Sequence, residues 1–319
     1  MDKPDILIPR PLMRSILKVL DRDYTTHKLW EMADPEAYLD SVAQMIKGIA
    51  SSPSAKVDAN LVDRLPNLQI VANFGVGYDG IDARHCADRG IMVTNTPDVL
   101  TEEVADTALG LLIMAVRELS ASERYLRAGK WQSDGPYPLT HGTLRGRKLG
   151  IFGLGRIGKA IARRAEAFGL EIHYHGRRKQ DGVAYPYHRN LKELAAACDT
   201  LMVVAPGGAD TRHAVDADVL KALGPNGVVI NIGRGSVIDE QALITALKNG
   251  VILAAGLDVF EEEPRAPAEL IALDNAVLLP HVGSASIHTR EAMGSLMLDN
   301  LATWFKEGHA VTPVAETSG

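Results

Sequence analysis

Three short stretches in the second half of the chain carry the residue types of anion binding and proton transfer. They are Asn231-Ile232-Gly233-Arg234-Gly235, Asp258-Val259-Phe260-Glu261-Glu262-Glu263-Pro264 and Pro280-His281-Val282-Gly283-Ser284. A guanidinium holds a carboxylate in a bidentate fork. An imidazole moves a proton near neutral pH. A carboxylate on the second ring nitrogen fixes the ring and favours its charged form. Taken singly, each residue has a plainer reading: a surface ion pair, a solvated acid, a structural histidine. Spacing alone leaves open whether the three meet and which carboxylate serves.

A fourth stretch, Lys148 to Gly158, reads as an apolar strand, a turn and the start of a helix, with glycines at G-x-G-x-x-G spacing. Gly153 permits the tight turn, Gly155 lets the backbone approach a pyrophosphate, and Gly158 lets the helix sit close on the strand. The helix N-terminus then offers N–H groups and a positive dipole end to phosphate. Ile157, Ile161, Ala162, Ala165 and Phe168 keep helical spacing, Gly169 stops the helix, and a second strand follows over 170–175. The stretch predicts a dinucleotide site. An NAD site usually ends that second strand in Asp or Glu. Here it ends Gly176-Arg177-Arg178-Lys179. A carboxylate would repel a 2′-phosphate, whereas guanidinium groups pair with it. NADP(H) is therefore the predicted cofactor, with Arg177 and Arg178 on the phosphate.

These stretches need strands behind them. Apolar runs at 6–8, 46–50, 68–74 and 91–93 alternate with helical patterns at 12–20, 35–45 and 81–89, which predicts a parallel α/β domain. A long helix is expected over 101–128, and Gly129-Lys130-Trp131 and 134–138 read as loop. Beyond the fingerprint, strands are expected at 200–205, 227–232, 253–259 and 277–279, helices at 216–223 and 239–249, and a last helix at 288–306. The carboxyl ends of such strands are where an open α/β sheet places ligands. The expected fold class is α/β: a Rossmann-type doubly wound parallel sheet over 99–285, and a smaller, discontinuous flavodoxin-like α/β domain built from 1–98 and 286–319. The first would bind the dinucleotide and the second the substrate, with the active cleft between them.

Composition narrows the classes. The chain has 319 residues, a formal net charge of −6, 46% hydrophobic and 23% charged residues. That balance gives no support to nucleic-acid binding. Cys86 and Cys198 have no short metal spacing, so no metal site is expected and a reducing compartment fits. The start at Met1-Asp2-Lys3-Pro4-Asp5 lacks the apolar core of a signal peptide, and the greasy run at 108–116 is too short for a bilayer. A cytoplasmic protein without membrane association is expected.

With these motifs in view, the chain resembles the D-isomer-specific 2-hydroxyacid dehydrogenase family along its whole length. The residues that carry the resemblance are Gly75-Val76-Gly77-Tyr78-Asp79, Thr96-Pro97-Asp98, Val104-Ala105-Asp106, the Gly153 fingerprint, Asn231 to Gly235, Asp258 to Pro264 and Pro280-His281. Phe74-Gly75-Val76-Gly77, Gly176-Arg177 and His281-Val282-Gly283-Ser284 point to the branch that reduces glyoxylate and hydroxypyruvate with NADPH. Hydroxyphenylpyruvate reductases share much of the same text, including Asn95 to Thr101.

The resemblance implies that Arg234 binds a small 2-oxoacid and polarises its carbonyl. It implies that His281 is the general acid, and that Glu263 pairs with it while Glu261 and Glu262 stand by. Backbone N–H groups of Val76 and Gly77 would meet the substrate carboxylate, and Ser284 would line the pocket. Arg156 and Ile157 would supply backbone at the pyrophosphate. Asp258 and the Ile232 carbonyl would address the nicotinamide carboxamide, with Gly283 beside them. A homodimer is implied, with 101–137 as the contact. The glycine-rich stretch Val204 to Thr211 departs from the Leu-Thr-Pro sequence of many members. Two other readings remain: a cofactor-sensing binding module, for which Arg234, Glu263 and His281 together are superfluous, and an NAD-dependent biosynthetic dehydrogenase, which Gly176-Arg177-Arg178 disfavours.

Overall fold

The first hundred residues of the computed structural model, which describes residues 3–52 and 54–318, alternate strand and helix. Met1, Asp2, Pro53 and Gly319 lie outside the described residues. The order is β1 (Asp5–Ile8), α1 (Arg14–Asp23), β2 (Thr25–Lys28), α2 (Pro35–Val42), β3 (Ile46–Ser51), α3 (Ala59–Asp63), β4 (Ile70–Asn73), α4 (Ala83–Asp88) and β5 (Met92–Thr94). Three helices follow: α5 (Thr101–Val116), α6 (Leu119–Arg127) and α7 (Lys130–Ser133). Then come β6 (Lys148–Phe152), α8 (Arg156–Ala167), β7 (Glu171–His175), β8 (Tyr187–His188), α9 (Leu191–Ala197), β9 (Thr200–Val203), α10 (Ala217–Leu223) and β10 (Val228–Asn231). The chain closes with α11 (Glu240–Lys248), β11 (Ala254–Leu257), α12 (Ala268–Ile271), β12 (Ala276–Leu278) and α13 (Ile287–Glu307).

The chain divides into two compact units, Met1–Leu100 with Ser286–Gly319, and Thr101–Ala285. In the first, five parallel strands run in the order β2-β1-β3-β4-β5, the flavodoxin-like arrangement. Its inner strands are continuous apolar runs because helices cover both faces: Ile6, Leu7, Ile8, Ile49, Ile70 and Val71 are fully buried. In the second, seven parallel strands run β12-β11-β10-β9-β6-β7-β8. The order reverses between β6 and β9, the Rossmann switch point. Side-chain caps start several crossover helices: Asp34, Asp58, Asp82, Asn190, Asp216 and Asp239 each accept from the N–H three residues on. Each such cap is worth about 1 kcal/mol.

The single helix expected over 101–128 is two. Glu118 adopts a left-handed conformation (φ 51°) between α5 and α6, and its carboxylate accepts from the Tyr137 hydroxyl at 3.0 Å. Helical periodicity continues across the break without Gly or Pro, so the sequence does not mark it. The loop expected at Gly129-Lys130-Trp131 contains the single turn α7, because left-handed Gly129 ends one helix and starts the next. The strands β2 and β8 and the helices α3, α9 and α12 were not expected. β2 and β8 are short, polar edge strands, which lack a readable alternation.

Candidate active site

The fingerprint sits at the switch point. Gly153 takes φ 101°, and a side-chain carbon there would lie 2.8 Å from the Ala205 nitrogen in the turn after β9. A carbon on Gly158 would overlap the Gly153 carbonyl. Gly155 faces open space and caps α8 with no side-chain hydrogen bond. The first turn of α8, with Arg156 and Ile157, contains no acidic residue. Clearance beside Gly155 and an open helix N-terminus are what a dinucleotide pyrophosphate requires, so the residues present fit that group. At the end of β7, Arg177, Arg178 and Lys179 are exposed on the turn that follows Gly176. Arg163 and Arg164, by contrast, pair with Glu102 and Asp106 on α5.

Further along the same sheet, after β11 and β12, the His281 Nδ1 donates to Glu263 Oε2 at 2.7 Å. The other Glu263 oxygen accepts from the Phe260 N–H at 3.2 Å. The two neighbouring acids lie elsewhere: Glu261 pairs with Arg212 at 2.6 Å and His213 at 2.9 Å, and exposed Glu262 pairs with Arg265. Glu261 is therefore more than a bystander, since it anchors the far end of the glycine-rich stretch after β9. Burial pushes the Glu263 carboxyl up. The His281 hydrogen bond and charge, the Phe260 N–H and the nearby Arg234 outweigh it and hold Glu263 below its ordinary range. With Nδ1 committed to Glu263, Nε2 is the remaining ring nitrogen of a side chain that is 41% exposed.

Backbone and amide groups set these side chains. Asn231, at the end of β10, donates through Nδ2 to the Arg234 carbonyl at 2.9 Å, and its Oδ1 accepts from the Gly233 N–H at 3.0 Å. Arg234 Nη1 donates to the Gly233 carbonyl at 2.7 Å. His281 stands at φ 54°, a left-handed conformation that costs a non-glycine residue about 1–2 kcal/mol. Asp258 holds that turn. Its Oδ1 accepts from Val282 N–H at 2.7 Å and its Oδ2 from Gly283 N–H at 2.8 Å, while its own carbonyl accepts from His281 N–H. Burial raises the Asp258 carboxyl against the pull of those two N–H groups and of His281. The Thr107 hydroxyl donates to the Gly283 carbonyl at 3.3 Å, and Ser284 is buried. The Ile232 N–H is bonded to the Val203 carbonyl.

In the first unit, the turn after β4 has its carbonyls drawn inward. Asn73 Nδ2 donates to the carbonyls of Gly75 and Gly77, both at 3.0 Å, and Asn95 Nδ2 donates to that of Val76 at 2.8 Å. Thr96 N–H also bonds the Gly75 carbonyl. A trans peptide whose carbonyl is held one way presents its N–H the other, so the Val76 and Gly77 N–H groups are turned away from the Asn73 and Asn95 amides. Asn73, Asn95, Asn231 and the clamping role of Asp258 escaped the sequence reading. An Asn closing an apolar strand was the available signal, since such amides bond nearby backbone. Among the described residues, no group of three or more His, Cys, Asp or Glu is placed to hold a metal ion, and no helix is long and apolar enough to cross a membrane.

Comparison with known proteins agrees with this fold. The family model for the D-isomer specific 2-hydroxyacid dehydrogenase NAD binding domain matches residues 109–283. The glyoxylate/hydroxypyruvate reductase A of Arabidopsis thaliana is 45% identical over 314 residues, spanning 98% of this chain and all of that protein. The hydroxyphenylpyruvate reductase of Plectranthus scutellarioides is 41% identical over the same shares. Among solved structures, the NADPH-dependent glyoxylate/hydroxypyruvate reductase SmGhrB of Sinorhizobium meliloti, in complex with NADP and malonate, is 54% identical. It matches with a TM-score of 0.94 over 99% of this chain and 98% of that one. A turn built for a dinucleotide and a His–Glu pair on one sheet thus occur in a chain that belongs to the D-isomer specific 2-hydroxyacid dehydrogenase family.

Proposed function

We propose that the protein is an NADP-dependent oxidoreductase that reduces small 2-oxoacids, glyoxylate and hydroxypyruvate, to the D-2-hydroxyacids. The observation that carries this reading is the 2.7 Å His281–Glu263 pair, on the same sheet as the glycine turn. When bound, NADPH supplies the hydride. Hydride attack on a ketone or aldehyde leaves negative charge on oxygen. Arg234 stabilises that charge and orients the substrate carboxylate, and His281 delivers a proton from Nε2. Glu263 holds the ring and balances the imidazolium. The Val76 and Gly77 N–H groups are assigned to the substrate carboxylate, and Ser284 to the pocket wall. Arg156, Ile157, Ile232, Asp258 and Gly283 are assigned to the cofactor, with Arg177 and Arg178 on its 2′-phosphate. The unit of 1–98 and 286–319 is read as substrate-binding and that of 99–285 as dinucleotide-binding.

The 41% identity to a hydroxyphenylpyruvate reductase favours a second reading in which the substrate is aromatic. A homodimer through 101–137 is supported by the exposure of Leu119 (43%), Leu126 (55%) and Trp131 (64%) on that stretch. A cytoplasmic location is supported by two buried free cysteines. The test is a 2-oxoacid panel with NADPH and with NADH, on the wild type and on His281→Ala. Rapid NADPH oxidation with glyoxylate or hydroxypyruvate is expected, with hydroxyphenylpyruvate slower. His281→Ala should lower turnover by about 10²- to 10⁴-fold while NADP⁺ still binds. Turnover of no 2-oxoacid, or a His281→Ala variant as fast as the wild type, overturns the proposal.

A further inference from the structure

The cation turn 176–180 is fastened at both ends. At its start, the Tyr187 hydroxyl donates to the Gly176 carbonyl at 3.3 Å. At its end, the Gln180 N–H donates to the Tyr174 hydroxyl at 2.9 Å, and the Gln180 side-chain amide donates to the Leu154 carbonyl at 2.7 Å. Leu154 lies between the first two fingerprint glycines. The two tyrosines face each other across the β7–β8 pair, with ring centroids 5.3 Å apart. Tyr174 is fully buried, so its hydroxyl is a fixed point. Between the two fastenings lie three adjacent like charges, Arg177, Arg178 and Lys179, all exposed. Repulsion among them favours a splayed turn, and ordering a splayed turn at the moment of binding would weaken affinity.

We infer that Gln180, with Tyr174 and Tyr187, is a positioning residue for cofactor choice. It ties the cation turn to the glycine turn, so that Arg177 and Arg178 present one fixed edge to the 2′-phosphate of NADP(H). This rests on the assignment of Arg177 and Arg178 to that phosphate. The clamp contributes nothing to NAD(H), which lacks the group the cations address. A fastening that served only the fold would affect both dinucleotides alike.

The test is calorimetric titration of NADP⁺ and of NAD⁺ into wild type, Gln180→Leu, Tyr174→Phe and Arg177→Ala, with KM and kcat for NADPH measured alongside. Loss of one net hydrogen bond predicts that Gln180→Leu weakens NADP⁺ about three- to tenfold. NAD⁺ binding and kcat at saturating NADPH should stay within about twofold. Tyr174→Phe should act in the same direction. If it proves unstable, Gln180→Leu decides alone, since Gln180 is only half-buried. Equal loss for both dinucleotides, or unchanged NADP⁺ affinity, overturns the inference. If Arg177→Ala leaves the NADP⁺/NAD⁺ ratio unmoved, the phosphate assignment itself falls, whatever Gln180→Leu does.

Discussion

Replacing Asp258 by Asn changes one atom of a 2%-exposed side chain and should disable the turn that carries His281. Both carboxylate oxygens accept from backbone N–H groups, Val282 at 2.7 Å and Gly283 at 2.8 Å. In Asp258→Asn one acceptor becomes an NH₂, so a donor faces a donor. A hydrogen bond to a charged group contributes about 1.5–3 kcal/mol, and a buried N–H left without a partner costs about 1–3 kcal/mol. The two figures overlap, because the turn can move to regain water. His281 at φ 54° adds a reason to move, since relaxing it recovers about 1–2 kcal/mol. A net bias of about 2–3 kcal/mol towards a displaced turn corresponds to roughly 30- to 150-fold. The expected result is a kcat lowered about that much, with a folded protein by circular dichroism. A folded Asp258→Asn variant that keeps a third or more of wild-type kcat refutes the clamp.

Protonation of Asp258 gives nearly the same one-acceptor state, which makes a pH prediction with a definite sign. Burial raises this carboxyl above its ordinary value. A raised carboxyl pKa in the folded protein means that the native state binds the proton more tightly than the unfolded chain does. Its contribution to stability is therefore complete below the unfolded value and is lost as pH rises through the folded one. Acid should thus inactivate through Asp258 before it unfolds. On acidification kcat should fall at a pH above the ordinary Asp range while the far-ultraviolet signal holds. Coincident loss of activity and structure would contradict this order.

Two further outcomes follow from the hydrogen bonds around the site. Glu263 is held below its ordinary range, so its pairing is present above the unfolded carboxylate value and is lost as pH falls through the lowered one. Glu263→Gln removes the anion that holds the ring, and the alkaline limb of kcat/KM should move to lower pH. An unmoved limb separates Glu263 from the proton transfer. Asn95→Ala frees the Val76 carbonyl and should raise the KM for glyoxylate about three- to tenfold while the KM for NADPH stays. Equal change in both constants would make Asn95 a general structural residue instead.

Much of this was legible because it rests on local, sequence-adjacent physics. Gly153, Gly155 and Gly158 are spaced by the mechanics of one turn, and the strands beneath are apolar runs because they are buried on both faces. The carboxyl-end positions of Arg234, Glu263 and His281 follow from those strands. What escaped was decided by tertiary geometry. Nothing between Thr101 and Ala128 distinguishes one helix from two, because the break is a left-handed Glu118 held by Tyr137 from outside the helix. Asp258 is assigned to the cofactor by resemblance, and its hold on the backbone 24 and 25 residues further on is visible only in the fold. Gln180 carries no signal in the sequence, and only the fold brings it to Leu154.

The charges within the site also reconcile a formally acidic protein with anionic ligands. The chain carries −6, which at long range disfavours both a 2-oxoacid and a dinucleotide. At physiological salt, exposed charges act over only about 8 Å. Two carboxylates placed at the strand ends are committed inward, Asp258 to two backbone N–H groups and Glu263 to His281 and the Phe260 N–H. The cations beyond β7, Arg177, Arg178 and Lys179, stand exposed. An approaching anion therefore meets donors and positive charge first. The association rate for NADPH should accordingly fall as salt rises, by a local attraction that the net charge of the chain would not suggest.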